Sequence, residues 1–193
     1  KRMQGVTVDP VARTARVEAG VKGNPVVKEA HTYGLAPLSG SSTDVGVVGY
    51  SLGGGTGWLA RKYGFAADAI RAADVVTAEG YLIRVSPESH AELFWALRGG
   101  GGNFGVVVAL EFDLFPVKTL FGGAIYYPIE EAPEVFQKYA RWTETAPEDI
   151  TSTILLFRFP PLPFLPEPLR GKAFVTIRAA ALGPDGEELA APL

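Results

Sequence analysis

Gly46-Val47-Val48-Gly49-Tyr50-Ser51-Leu52-Gly53-Gly54-Gly55-Thr56-Gly57 is the stretch on which the reading of this chain turns. From Gly40 to Gly57 glycine is far more frequent than the roughly 7% of an average protein. Such a run is built for main chain, because it exposes several backbone N–H groups and lets a ligand come close to the peptide.

Three side-chain motifs compete for these glycines. Gly49-Tyr50-Ser51-Leu52-Gly53 matches G-x-S-x-G, with Val45 to Val48 as the strand leading into a nucleophile elbow and Ser51 as the nucleophile of a serine hydrolase. That elbow needs a long helix behind it, then an acid and a histidine later in the chain. Gly53 to Gly57 stand where that helix would run, and each glycine costs a helix about 1 kcal/mol. The only downstream histidine is His90. Gly55-Thr56-Gly57-Trp58-Leu59-Ala60 fits a dinucleotide fingerprint with Asp74 about 20 residues on, but Gly64 cuts its helix short. Gly100-Gly101-Gly102-Asn103-Phe104-Gly105 fits G-x-G-x-x-G in the wrong order, with a helix before it and a strand after it. A main-chain cradle for a large, planar, anionic ligand uses every glycine, and a flavin dinucleotide has that shape and charge.

On the N-terminal side of the glycines, Val6 and Val8, then Ala15, Val17 and Ala19, alternate with polar residues on either side of a turn at Asp9-Pro10 and predict a strand pair. Asn24 as N-cap, Pro25 at the first helical position and Gly34 as the stop predict a helix near 25–33. On the C-terminal side a helical patch runs from Trp58 to Tyr63. Ala69 to Ala78 and Tyr81 to Val85 flank Glu79-Gly80 as a hairpin. Ser89 and Glu92 form a capping-box signature ahead of a three-turn helix. Phe104, Val106, Val108, Leu110, Phe112 and Leu114 then alternate, with Glu111 and Asp113 on the other face, as a strand.

After Pro116 the character changes, and a domain boundary is expected near 116–121. Gly123 to Tyr127 reads as a strand, and Val135, Tyr139 and Trp142 share one face of a helix near 131–146. Two strands, near 151–159 and 172–181, flank a proline-rich segment that excludes regular structure, and 187–193 begins another helix. No internal repeat is seen.

The chain of 193 residues is 47% apolar and 20% charged with net charge −3, as expected of a folded globular protein. There is no basic block to track a phosphate backbone, which argues against nucleic acid as a partner. No apolar run approaches the ~18 to 20 residues that span a bilayer, so no membrane role is expected. The absence of cysteine removes disulfides, thiolate metal sites and a cysteine nucleophile, and fits a cytoplasmic location. Two residues precede the first methionine, so Lys1 is not expected to be the native start.

The sequence resembles the FAD-linked oxidases of the vanillyl-alcohol oxidase/p-cresol methylhydroxylase fold, and within them the berberine-bridge-enzyme-like branch. The resemblance rests on Val6-Thr7-Val8-Asp9-Pro10 with Ala15-Arg16-Val17-Glu18-Ala19-Gly20, then Gly46 through Gly64. It continues through Asp74-Val75-Val76-Thr77-Ala78 and the run from Leu93-Phe94-Trp95-Ala96-Leu97-Arg98 through Gly99 to Val107. It covers residues ~5 to 128 in the family's order.

The resemblance implies an α+β chain. Residues 1–118 would be the second lobe of a PCMH-type FAD-binding domain, a mixed or antiparallel sheet with flanking helices. Residues 119–193 would be the truncated start of an α+β substrate domain. FAD is the implied cofactor, lined mainly through backbone by Thr43, Gly46, Val47, Gly49, Tyr50, Gly53, Gly54 and Gly55, and approached by Gly105, Val106 and Val107. Arg61-Lys62-Tyr63 is expected to be structural or a solvated helix face ending in a packed tyrosine. The family's flavin-linking histidine belongs to a first lobe expected upstream of residue 1, and its catalytic tyrosine base lies beyond Leu193, so no catalytic residue is named. The cysteine that gives some members a second flavin bond aligns with Ser42, which cannot form it. His31 and His90 are read as surface or packing residues, and Tyr126 and Tyr127 as strand residues that face the flavin cavity or pack. The implied activity is hydride transfer from a small alcohol, amine or glycoside to FAD and on to O2. The alternative is a non-catalytic fragment that binds FAD weakly or not at all. A chain lacking one lobe is expected to self-associate or to take that lobe from a partner chain.

Overall fold

Asp9 Oδ1 accepts the amides of Val11 and Ala12, both at 2.9 Å, and this Asx turn closes a hairpin between β1 (Val6–Asp9) and β2 (Thr14–Glu18). The computed structural model describes residues 2–191 and divides after Lys118 into two compact units. In the first, β5 (Val106–Asp113) lies between β2 and β3 (Ile70–Val76), and β4 (Leu82–Val85) closes the far edge. Among the described residues this makes a five-stranded antiparallel sheet in the order β1-β2-β5-β3-β4.

Val17, Leu110, Ala73 and Val85 stand in one buried cross-strand row. Helices α1 (Gly23–His31), α2 (Val47–Leu52) and α4 (Ala91–Gly100) cover that face with Val26, Ala30, Val48, Leu52, Phe94 and Leu97. Burying a side chain such as Leu97 or Leu110 contributes about 1.5–3 kcal/mol. The short α3 (Ala60–Tyr63) ends in Tyr63, whose ring centroid lies 4.4 Å from that of Phe115, so this tyrosine packs as expected. The other face of the sheet is charged: Asp74 pairs with Arg16 and Arg84, Arg84 also with Glu111, and Arg71 with Asp113.

Three expectations need correction. Asn24 is not the N-cap of α1, because the helix starts at Gly23. The amides of Gly23 and Asn24 are taken by the carbonyls of Val45 (3.0 Å) and Thr43 (2.9 Å), so the glycine-rich loop itself satisfies the orphan donors of the helix start. Ser89 and Glu92 form no capping box; Ser89 Oγ turns back to the Arg84 carbonyl, and left-handed His90 (φ 54°) precedes α4. The strand predicted from Phe104 starts at Val106, and its apolar phase changes on the way. Asp74 pairs with Ala109 but Val75 with Val107, which leaves Val108 as a bulge residue. Val107 is thereby buried, and Val106 is left 66% exposed.

The second unit, from Thr119 onward, is a three-stranded antiparallel sheet among the described residues, ordered β6-β8-β7. Its strands are β6 (Leu120–Pro128), β7 (Ile150–Arg158) and β8 (Ala173–Leu182). α5 (Ala132–Thr143) packs Val135 and Tyr139 onto Tyr127, Ile154, Val175 and Ile177, and Tyr139 Oη shares a 2.8 Å hydrogen bond with Ser152 Oγ. Tyr127 is thus a packing residue, while Tyr126 lies on the opposite face with Phe159 and Phe174, each ring centroid 6.0 Å away. α6 (Gly186–Ala190) occupies part of the helix expected over 187–193, whose last two residues lie outside the described ones.

Candidate functional site

α2 buries Val48, Ser51 and Leu52 and turns Gly46, Gly49 and Gly53 outward. Positions separated by three and four lie on one side of a helix, so this side is backbone without side chains. A Cβ built at Gly46 or Gly49 would meet nothing within 4 Å, nor would one at Gly54, where φ is +104°. At Gly53 it would meet only carbonyls of its own helix end. No packing inside the first unit requires glycine at Gly46 or Gly49. The face is held in place from behind, since Val47 N donates to Val21 O (3.0 Å) and the Thr43 and Val45 carbonyls hold the start of α1.

Tyr50 and Gly55 belong to a different part of the same loop. A Cβ at Gly55 would fall 2.6 Å from Ala66 Cβ and 2.8 Å from the Tyr50 ring, and one at Gly40 would fall 3.0 Å from that ring. At Gly57 it would fall 1.9 Å from Ser39 O. These glycines make room for a tyrosine. The Tyr50 hydroxyl is buried with no hydrogen-bond partner, and burial raises its pKa. It lines a small cavity with Val26, Leu38, Ser39 and Ser51.

The second glycine cluster comes after a break in α4 at Arg98 (ψ 85°) and Gly99 (φ 102°), and residues Gly101–Phe104 form a 3-10 turn that packs against α2. Cβ positions at Gly99, Gly101 and Gly102 are open. Gly105 is glycine for the sheet, since its Cβ would lie 2.7 Å from Val75 Cγ1 and 2.9 Å from Val76 O. Val107 is in the core, so of the three residues expected to approach the cofactor here only Val106 presents a largely free side chain.

The site therefore divides its sequence-derived residues into two sets. Gly46, Gly49, Gly53, Gly54 and Val106 offer open backbone or an exposed side chain. Gly55, Gly105 and Val107 are filled on their side-chain positions by protein and have only main chain to give. Thr43 is exposed, but its carbonyl is committed to Asn24. Ser51 is 4% exposed inside a helix that no strand precedes, so there is no nucleophile elbow. His31 and His90 are both exposed, and among the described residues no cluster of three histidine or acidic side chains could hold a metal. Sequence reasoning missed Arg98, whose Nε is buried without a partner beside the second glycine cluster. A charged residue between Leu97 and four glycines was the signal that could have found it.

Residues 1–86 match the family described as FAD binding domain. The chain is 43% identical over 128 residues to (R)-6-hydroxynicotine oxidase of Paenarthrobacter nicotinovorans, covering 65% of this chain and 28% of that protein. The crystal structure of 6-hydroxy-D-nicotine oxidase from Arthrobacter nicotinovorans superposes with a TM-score of 0.84 at 31% identity, covering 99% of this chain and 41% of that one. Residues 1–86 thus belong to the FAD-binding domain family, and the chain as a whole is similar to FAD-linked oxidoreductases. A berberine bridge enzyme variant described as a reticuline dehydrogenase shares the PCMH-type fold, with a TM-score of 0.78 at 28% identity over 94% of this chain and 35% of that one. The chain thus spans less than half the length of the relatives it matches. FAD is the cofactor of the family, and a helix face without side chains next to an open glycine turn fits a planar dinucleotide held by main chain. No helix among the described residues is long and apolar enough to cross a membrane.

Proposed function

We propose that the full-length protein is an FAD-dependent oxidase acting on a small alcohol, amine or glycoside. When bound, the flavin supplies the chemistry, taking a hydride from the substrate and returning the electrons to O2. The first unit is the second lobe of the FAD-binding domain, and the second unit begins the substrate domain. Thr43, Gly46, Val47, Gly49, Tyr50, Gly53, Gly54, Gly55, Gly105, Val106 and Val107 are the proposed cofactor-lining set. Within it, Gly46, Gly49 and Gly53 let the cofactor reach the main chain of α2, and the half-buried Tyr50 ring keeps the loop behind them in shape.

The observation that carries this reading is the side-chain-free face of α2, because nothing inside the first unit accounts for it. The names of the related hydroxynicotine oxidase and reticuline dehydrogenase support a small organic substrate. A cytoplasmic location suits a chain without cysteine. The exposed Trp95, Phe104 and Val106 support a covering partner, either a second copy or the other lobe on another chain.

The test is the purified full-length protein. Flavin absorbance with peroxide formation on a panel of amines, alcohols and sugars is expected. A protein that carries no flavin and takes up none on reconstitution would end the proposal. An FAD titration of the 193-residue chain decides whether these two units bind the cofactor by themselves.

A further inference from the structure

Arg98 carries a charge that no ion pair answers among the described residues. Its guanidinium stacks on the Phe94 ring, with Cζ 4.8 Å from the centroid. Nε is buried and has no hydrogen-bond partner, and Arg98 enters no ion pair among the described residues. A buried donor on a charged group is expensive to leave unmade, and an aromatic face compensates only part of the charge. A solvated surface arginine would have Nε in water, and a structural one would have a carboxylate or carbonyl at hand. Arg98 has neither.

The backbone beside it points the same way. Gly99 (φ 102°, ψ −21°) and Gly100 (φ −80°, ψ −6°) have opposite hands, an alternation that turns successive amides toward one side in an anion-binding concavity. The Cβ positions of Gly99, Gly101 and Gly102 are open, and the turn packs against α2, whose outer face is bare. The remaining N–H groups of the guanidinium and the open glycine backbone that follows it in the chain are each complementary to a phosphate oxygen.

We propose that Arg98, together with the Gly99–Gly101 backbone, binds a phosphate of FAD. This rests on the proposed FAD function and adds to it a charged anchor in a site otherwise made of main chain. Removing the charge should weaken ligands that carry the phosphates and spare the flavin ring alone. It should also leave the apoprotein no less stable, because an unanswered charge leaves with it.

The experiment uses full-length apoprotein from flavin-limited expression, as wild type, Arg98→Gln and Arg98→Lys, titrated with FAD, ADP and riboflavin by fluorescence. Thermal unfolding of each apoprotein is followed alongside. Expected is a loss of about tenfold or more for FAD and ADP in Arg98→Gln, partial recovery in Arg98→Lys, unchanged riboflavin affinity and an unchanged or higher apo Tm. Unchanged FAD affinity, equal losses for FAD and riboflavin, or an apo Arg98→Gln that unfolds earlier or fails to fold would each overturn the proposal. A wild-type protein that binds no FAD would instead remove the reading on which it rests.

Discussion

Asp74 and Arg84 face each other across the β3–β4 ladder, with Arg84 Nη1 3.1 Å from Asp74 Oδ1, and Asp74 Oδ2 takes Arg16 from the neighbouring side. Partial burial alone would raise the Asp74 pKa, but the hydrogen bonds and charges of Arg16 and Arg84 outweigh it and hold the carboxyl below its usual range. A folded-state pKa below the unfolded value of about 3.9 adds stability that is complete above that value and lost as pH falls through the folded one.

Asp74→Asn should therefore cost about 1 kcal/mol at pH 7, since both arginines remain half exposed and screened. Urea unfolding of wild type and variant at pH 7 and in the acid limb checks this. The gap should close as the pH drops below about 4. A constant gap across both pH values would mean that the effect is steric.

Glycines of the same loop should respond in opposite ways. Gly49→Ala adds a Cβ into open space and removes a glycine from a helix, so the apoprotein should gain about 0.5–1 kcal/mol while FAD affinity falls. Gly55→Ala must displace Ala66 Cβ at 2.6 Å from a backbone at φ +75°, and should lose about 1–3 kcal/mol without any ligand present. Thermal unfolding without FAD and an FAD titration separate the two. Equal behaviour of both variants would contradict the division of the site into a bare face and a packed loop.

The cluster of glycines was legible in the sequence as open main chain, and alternation gave the strands because one face of the antiparallel sheet is buried. Other features depended on partners distant in sequence. The start of α1 is capped by Thr43 and Val45, some twenty residues on, so local rules placed the cap on Asn24. The bulge at Val108 is decided by β3, and without it Val106 reads as core. Ser51 fits a nucleophile motif by spacing, yet α2 turns it inward, because apolar Val48 and Leu52 fix which side of the helix is buried. Glycines that make room for Tyr50 and those that face outward are indistinguishable as letters.

Ser51 should be chemically silent. At 4% exposure within α2 it has no route to an electrophile, so a fluorophosphonate probe should leave the protein unlabelled. Specific labelling that disappears in Ser51→Ala would revive the hydrolase.

Tyr50→Phe removes a buried hydroxyl that has no partner while keeping the ring that fills the glycine cradle. The apoprotein should be unchanged or more stable by about 1 kcal/mol at neutral pH. Burial raises the folded-state pKa of Tyr50, so its contribution is complete below the unfolded value of about 10 and is lost as pH rises through the folded one. Wild type should then lose stability in the alkaline limb more steeply than the variant. Guanidinium melts at pH 7 and above pH ~10 read both effects. A variant less stable than wild type at pH 7 would show that the hydroxyl has a partner, such as a held water.

Trp95 is 74% exposed on α4, and Phe104 and Val106 beyond the glycine turn are 45% and 66% exposed. Large apolar side chains exposed this close in sequence, next to a helix face without side chains, are the basis of the proposed covering partner. The 193-residue chain should accordingly self-associate as its concentration rises, and light scattering should show mass above that of one chain. Trp95→Glu combined with Val106→Glu should return it to a monomer without loss of helical circular dichroism, because neither side chain is in the core. Addition of the other lobe as a separate polypeptide should compete with self-association if that lobe is the covering partner. A wild-type chain that stays monomeric at high concentration would show that this surface is left open to water.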